Sequence, residues 1–160
     1  MSALTKPFDI GIKDGYEARL KMAAEKIYQG SVVGVIIGTG YATKSLTTAA
    51  WRFMGVAEET VDNSAGSAGD KRIRIRRKGL CSFDSSGLTV ASVGAQVYFS
   101  DDHTVTTSAS YLFAGILVDI DENSKAIVDI TGAVQANLFF CSDDNTVRAG
   151  GTALKSSALS

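Results

Sequence analysis

A chain of 160 residues with a formal net charge of −1 fits one domain with or without extended ends, and as a whole it has no general attraction for nucleic acid or anionic membranes. Its hydrophobic share of 45% excludes wholesale disorder, and at this length a compact fold removes roughly 70% of the unfolded surface from water without a disulfide or metal staple. Sixteen glycines against one proline, among many Thr, Ser and Val residues, point to short strands and tight turns.

Residues 1–19 lack helical periodicity. Phe8, Ile10 and Ile12 alternate with Asp9, Gly11 and Lys13, which predicts an extended arm with one apolar side. With Leu4, these are the residues such an arm could bury against a partner, the alternative being a frayed terminus. Residues 20–28 have the only helical character, expected to last one or two turns. Val32 to Ile37 read as a buried strand, Gly38-Thr39-Gly40 as a turn, and Tyr41 to Leu46 and Trp51 to Val61 as strands. Asn63 to Gly69 (NSAGSAG) has the composition of an exposed, flexible loop. The clearest strand is KRIRIRRK (71–78), where Ile73 and Ile75 point one way and Arg72, Arg74, Arg76 and Lys78 the other.

Short strands follow at Leu88 to Val93, Gln96 to Ser100 and Thr104 to Thr107, then hairpins from Tyr111 to Thr131 and from Leu138 to Arg148. The tail from Gly150 is small and polar. About ten short strands with almost no helix predict an all-β barrel or sandwich of antiparallel strands, divided as an N-terminal arm (1–19), a β-domain (20–132) and a C-terminal hairpin with tail (133–160). Phe53-Met54-Gly55-Val56 echoes Phe113-Ala114-Gly115-Ile116, and setting Asn63 to Gly69 aside keeps the register to Ile75 against Val128. Two copies of one hairpin, or two hairpins obeying the same rules, both account for it. Ser100 to Val105 and Ser142 to Val147 are likewise similarly built turns.

Few residues in the sequence point to catalytic chemistry. His103 stands beside Asp101 and Asp102, but adjacent turn residues lack the partly buried setting and the nucleophile that a general base requires. Carboxylates at Glu58-Glu59, Asp119-Asp121-Glu122 and Asp143-Asp144 do not fit an EF-hand's ligand spacing. Gly38 to Ser45 is a near miss to a phosphate-binding loop, with Thr43 where the second glycine belongs and no convincing helix after it. Cys81 and Cys141 have no metal-ligand neighbours and read as reduced thiols, with a disulfide left open. There is no basic-then-apolar leader, and the longest apolar run is far below the ~20 residues that span a bilayer, so synthesis in a cytoplasm is expected. These readings predict no enzyme, catalytic residue, cofactor or metal, and no membrane or small-molecule partner.

The basic strand is the one strong electrostatic feature. No aromatic alternates with its arginines to stack bases, so contact with an acidic protein rim such as Glu58, Glu59 or Asp119, or else a merely solvated face, is expected rather than nucleic acid.

The order of these segments resembles a family of bacteriophage capsid decoration (cement) proteins, some of whose members are labelled recombinases. The likeness covers roughly residues 20–132: IYQGSVVGVI, then Phe53 to Val56, Ile73 to Gly79, Gly94 to Asp102 and Gly115 to Ile130. It lies in strand and glycine spacing, not in a catalytic signature. The resemblance implies a small β-barrel-like body on the outside of a phage head, assembling as a homotrimer and clamping the major capsid protein, with the N-terminal arm reaching across subunits. It leaves the C-terminal hairpin without a counterpart. A tail-tube subunit is the structural alternative, and a nucleic-acid-binding or recombinase-type protein the alternative of another class.

Overall fold

Alternating apolar residues fold here into strands whose inward side chains close two small cores. The computed structural model describes residues 15–44 and 51–136. In chain order the strands are β1 (Glu17–Lys21), β2 (Lys26–Ile27), β3 (Val32–Ile36), β4 (Ala42–Thr43), β5 (Trp51–Ala57), β6 (Val61–Asp62) and β7 (Arg72–Arg76). Then come β8 (Leu80–Ser85), β9 (Gln96–Phe99), β10 (Thr104–Thr106), β11 (Leu112–Ile120) and β12 (Lys125–Asp129), and a short helix α1 (Thr131–Ala136). The all-β class follows from the sequence pattern. Three expected features differ, and strand β8 and helix α1 were not expected at all. Residues 20–28 form no helix, because Met22 and Ile27 are drawn into a β core. Leu88 to Val93 holds a 3-10 turn at Val90–Ser92 instead of a strand. The arm boundary also moves, since β1 takes Glu17, Ala18 and Arg19 into the body.

The body is two copies of one barrel. The second is closed, in the order β10-β8-β12-β11-β9, with β10 parallel to β8. The first runs β1-β7-β5-β3-β4, and Met22, just after β1, bridges Ala42 of β4 in parallel, closing the ring at the same place. Closure pairs both edges of the second sheet, and the single Met22–Ala42 bridge joins the edge strands of the first, which limits the usual hazard of a small β protein. Strand by strand, β1, β3, β4, β5 and β7 correspond to β8, β9, β10, β11 and β12. Registers match as well: Val33 faces Gly55 where Val97 faces Gly115, and Ala18 faces Ile75 where Cys81 faces Val128.

Two irregularities repeat with the register. In each copy the ladder shifts by one residue just before a glycine with positive φ, Gly55 at 149° and Gly115 at 144°. A Cβ there would collide with the carbonyl of Arg76 or of Asp129, so a bulge with glycine is the only residue choice that lets the strands approach. Ahead of each bulge partner, Gly30 donates to the Ala57 carbonyl at 2.9 Å and Gly94 to the Leu117 carbonyl at 2.8 Å. The echo read from the sequence is therefore the visible part of a duplicated barrel. Residues Asn63 to Gly69 are an insertion in the first copy, as that register required. The insertion is exposed but pinned: Asn63, 1% exposed, donates to the carbonyls of Ala23 (3.1 Å) and Ser67 (2.9 Å).

The two cores differ in what they enclose. Met22, Ile27, Val33, Ala42, Ala57, Ile73 and Ile75 fill the first barrel. The second core holds that barrel's own inward residues and also the outer face of the first: Val32, Trp51, Phe53 and Val56. Phe53 packs on Phe99 with ring centroids 5.2 Å apart, and Phe99 meets Phe83 edge-on at 5.2 Å. The Val32 amide donates to the carbonyl of Asp102 at 2.8 Å. Gly34 completes this face, because a Cβ there would strike the Trp51 indole lying across it. The β3–β5 sheet of the first barrel thus caps one end of the second, and α1 packs against both β5 and β11.

Candidate functional site

Strand β7 sits between β1 and β5, which holds its arginines on the outside of the first barrel. Arg72 and Arg76 are exposed, while Arg74 and Lys78 are half-buried. The acidic rim expected on a partner is supplied in part from within: Glu58 pairs with Arg76 at 2.9 Å and with Arg74 at 3.4 Å. The Glu59 carboxylate accepts from the Arg74 amide at 2.9 Å. Arg72 reaches the Arg19 carbonyl at 3.4 Å, and the Lys78 ammonium lies 5.6 Å from the Tyr16 ring. The stripe is accordingly a partly neutralised surface, with Glu58 compensating Arg74 and Arg76 but not Arg72 or Lys78. Leu4, Phe8, Ile10 and Ile12 lie outside the described residues, as do the C-terminal hairpin and tail.

Folding gathers further charge that the linear pattern hid. Tyr28, exposed, has the Lys26 ammonium at 5.0 Å and the Lys44 ammonium at 5.7 Å from its ring. Residues 15–79 hold eleven basic and six acidic side chains, a net +5, whereas 80–136 hold one and seven, a net −6. The near-neutral total conceals a basic barrel joined to an acidic one. Only counting by structural unit reveals it.

His103 stands on the β9–β10 turn, exposed. Its Nδ1 lies 2.8 Å from Asp102 and 3.2 Å from Asp101, and Nε2 lies 3.7 Å from Asp84. The hydrogen bond with Asp102, followed by the charges of the three carboxylates, raises its pKa above the ordinary 6.5. Asp101 is lowered: slight burial opposes the shift, but hydrogen bonds from His103 and Thr104 outweigh it. The Asp101 carboxylate caps the turn by accepting the amides of His103 (2.9 Å) and Thr104 (2.7 Å). Asp101, Asp102 and His103 are the one group of possible metal ligands among the described residues, and their hydrogen bonds are those of a turn. Burial pushes the Cys81 thiol up to about 11, which keeps it protonated and unreactive at neutral pH.

Two open clefts run along the seam between the barrels. One is bordered by Glu17, Glu58, Arg74, Arg76 and Cys81, the other by Tyr28, Lys44, Asp84, His103 and Lys125. Neither brings an activated nucleophile to a base. The second barrel adds a feature the sequence reading missed: Val93, Tyr111, Ile116 and Val118 are all exposed, with Val93 beside β11 through the bonds that join Gly94 and Ala95 to Leu117. That Tyr111 and Ile116 share one face depends on the bulge before Gly115, which a strict two-residue alternation does not anticipate. Comparison of the chain with family models, curated proteins and solved structures returned no match.

Proposed function

We propose that the chain is a structural virion protein that binds the outside of a phage head and stabilises its lattice. The observation that carries this reading is where the distinctive chemistry lies: in outward surfaces, an apolar face on one barrel and opposite charge on the two, around rigid closed cores. A cement protein gains from many weak, repeated contacts, since multivalent attachment multiplies modest affinities. Closed cyclic assembly as a homotrimer lets one patch serve several neighbours. The major capsid protein is the partner, the capsid exterior the location, and the arm residues Leu4, Phe8, Ile10 and Ile12, with the stripe from Arg72 to Lys78, the contacts. The resemblance in strand and glycine spacing supports the same assignment, and a tail-tube subunit would draw on the same surfaces.

Nucleic-acid binding is the second reading, favoured by the net +5 of the first barrel and by Tyr28 between two lysines. One experiment separates them. The purified chain is sedimented with undecorated phage heads and, in parallel, titrated with DNA at moderate salt. Saturable attachment to heads that falls at least tenfold when residues 1–15 are deleted, without a change in melting temperature, is expected. Tight salt-resistant DNA binding with no attachment to heads overturns the proposal.

A further inference from the structure

The duplication exposes an imbalance. Within the chain, the outer β3–β5 face of the first barrel caps the end of the second, burying Trp51 to 7% exposure, Phe53 to 1% and Val56 to 8%. The same positions of the second barrel are Tyr111, Phe113 and Ile116, where Tyr111 is 50% and Ile116 39% exposed and Phe113 is half-buried. The face is built again with Tyr98 in the place of Gly34, its ring edge-on to Phe113 at 5.9 Å, and it stays exposed at Tyr111, Ile116 and Val118. The complementary surface is also unmatched. Phe83 and Phe99, at the capped end of the second barrel, are buried, whereas their counterparts Leu20 and Val35 in the first are only partly buried. The adjoining β3–β4 turn presents Ile37, 44% exposed. Each chain therefore offers one unused face and one unused end of the two kinds that already fit each other inside it.

We propose that copies of this chain associate head to tail, the outer β9–β11 face of one capping the open end of the first barrel of the next. The contact repeats between chains the one that joins the two barrels within a chain. Charge favours the same pairing, because it brings an acidic second barrel against a basic first barrel, while face-to-face pairing would bring like charges together. Because the surfaces differ, the contact is heterologous, and its rotation decides between a closed ring and a filament. The inference needs only the purified chain and stands apart from any attachment to a phage head.

The test is a mixing experiment on the full chain, followed by sedimentation at low salt. Wild type is expected to form concentration-dependent assemblies, weakened at least tenfold by 0.5 M salt, a concentration at which charges more than ~5 Å apart are screened. Ile116→Asp with Val118→Asp, on the face, and Ile37→Asp, on the turn, are each expected to be monomeric with wild-type circular dichroism. Val93→Asp serves as a second face variant should the double one not fold. Mixed, a face variant and the turn variant retain one sound surface of each kind, so a 1:1 dimer is expected. Assembly that Ile37→Asp leaves intact, or monomeric wild type at ~100 μM, a regime that populates even weak specific interfaces, overturns the proposal. So does assembly that appears only after residues 1–14 or 137–160 are deleted, which would make a terminal segment of the same chain the occupant.

Discussion

The two barrels share strand order, register and bulge, yet they spend their outer surfaces differently. The first buries Val32, Trp51, Phe53 and Val56 against its sister and carries a net excess of cations, while the second leaves Tyr111 and Ile116 of the matching face exposed and carries acids. Interior positions stayed the same or changed within bounds that keep each ring filled: Val33 against Val97, Leu20 against Phe83, Ile73 against Ala126. Outer positions changed in kind, as Arg74 and Arg76 against Ile127 and Asp129. A closed ring constrains what points inward and leaves the outside free to acquire separate tasks.

The sharpest way to break this comparison is to remove the same aromatic from each copy. Phe53→Ala empties a site between two barrels and is expected to cost ~3–5 kcal/mol, as fully buried aromatics do. Phe113→Ala loses a half-exposed ring whose edge contact with Tyr98 spans 5.9 Å, and about 1 kcal/mol is expected at concentrations where copies stay apart. Equal losses in urea unfolding would show that the two faces are covered alike.

The bulge glycines should behave in the opposite way, as equals. Gly55→Ala and Gly115→Ala each force a side chain into a left-handed backbone against a carbonyl, and each is expected to cost at least ~1–3 kcal/mol. If one is tolerated and the other is not, the repeat is looser than its register implies.

The smallest effect concerns His103, whose place the first barrel fills with the uncharged turn Gly38-Thr39-Gly40. Its raised pKa means the folded state holds the proton more tightly than the unfolded chain does. The resulting stabilisation is full below ~6.5, the ordinary histidine value, and fades as pH rises through the raised value. An imidazole titration followed by NMR should have its midpoint above that of a free histidine, and His103→Gln should flatten stability against pH across this window. A midpoint at or below the ordinary value would mean that the Asp102 contact does not persist in solution.

The parts of this architecture that were legible in the sequence are those where physics admits few residues. Ile73 and Ile75 between arginines announce a strand with one buried face, and Phe-x-Gly-apolar, twice, announces an echo between hairpins, whose glycine bulges the structure adds. The rest of the duplication was hidden because a barrel interior accepts any apolar residue of suitable volume. Strand β8 (LCSFDS) was missed because only Phe83 of its inward residues is large and buried, while Leu80 points to water. Helix α1 was missed because six residues with a glycine second carry almost no helical signal, and packing of Ala133 and Val134 holds them. The bipolar charge was illegible until the boundary between the copies was known, since the sum over the chain cancels it.

In each ring the strand made first is paired with the strand made last, β1 with β7 and β8 with β12. A nascent chain therefore cannot close its first barrel until residue 76 has left the ribosome, nor its second until residue 129 has followed. Such long-range closure is slow compared with local hairpin formation. Here the delay has a useful order. The finished first barrel, with Trp51 and Phe53 already placed, is a template waiting for Phe83 and Phe99 to arrive, so the later half folds against a solid wall and not alone in solution.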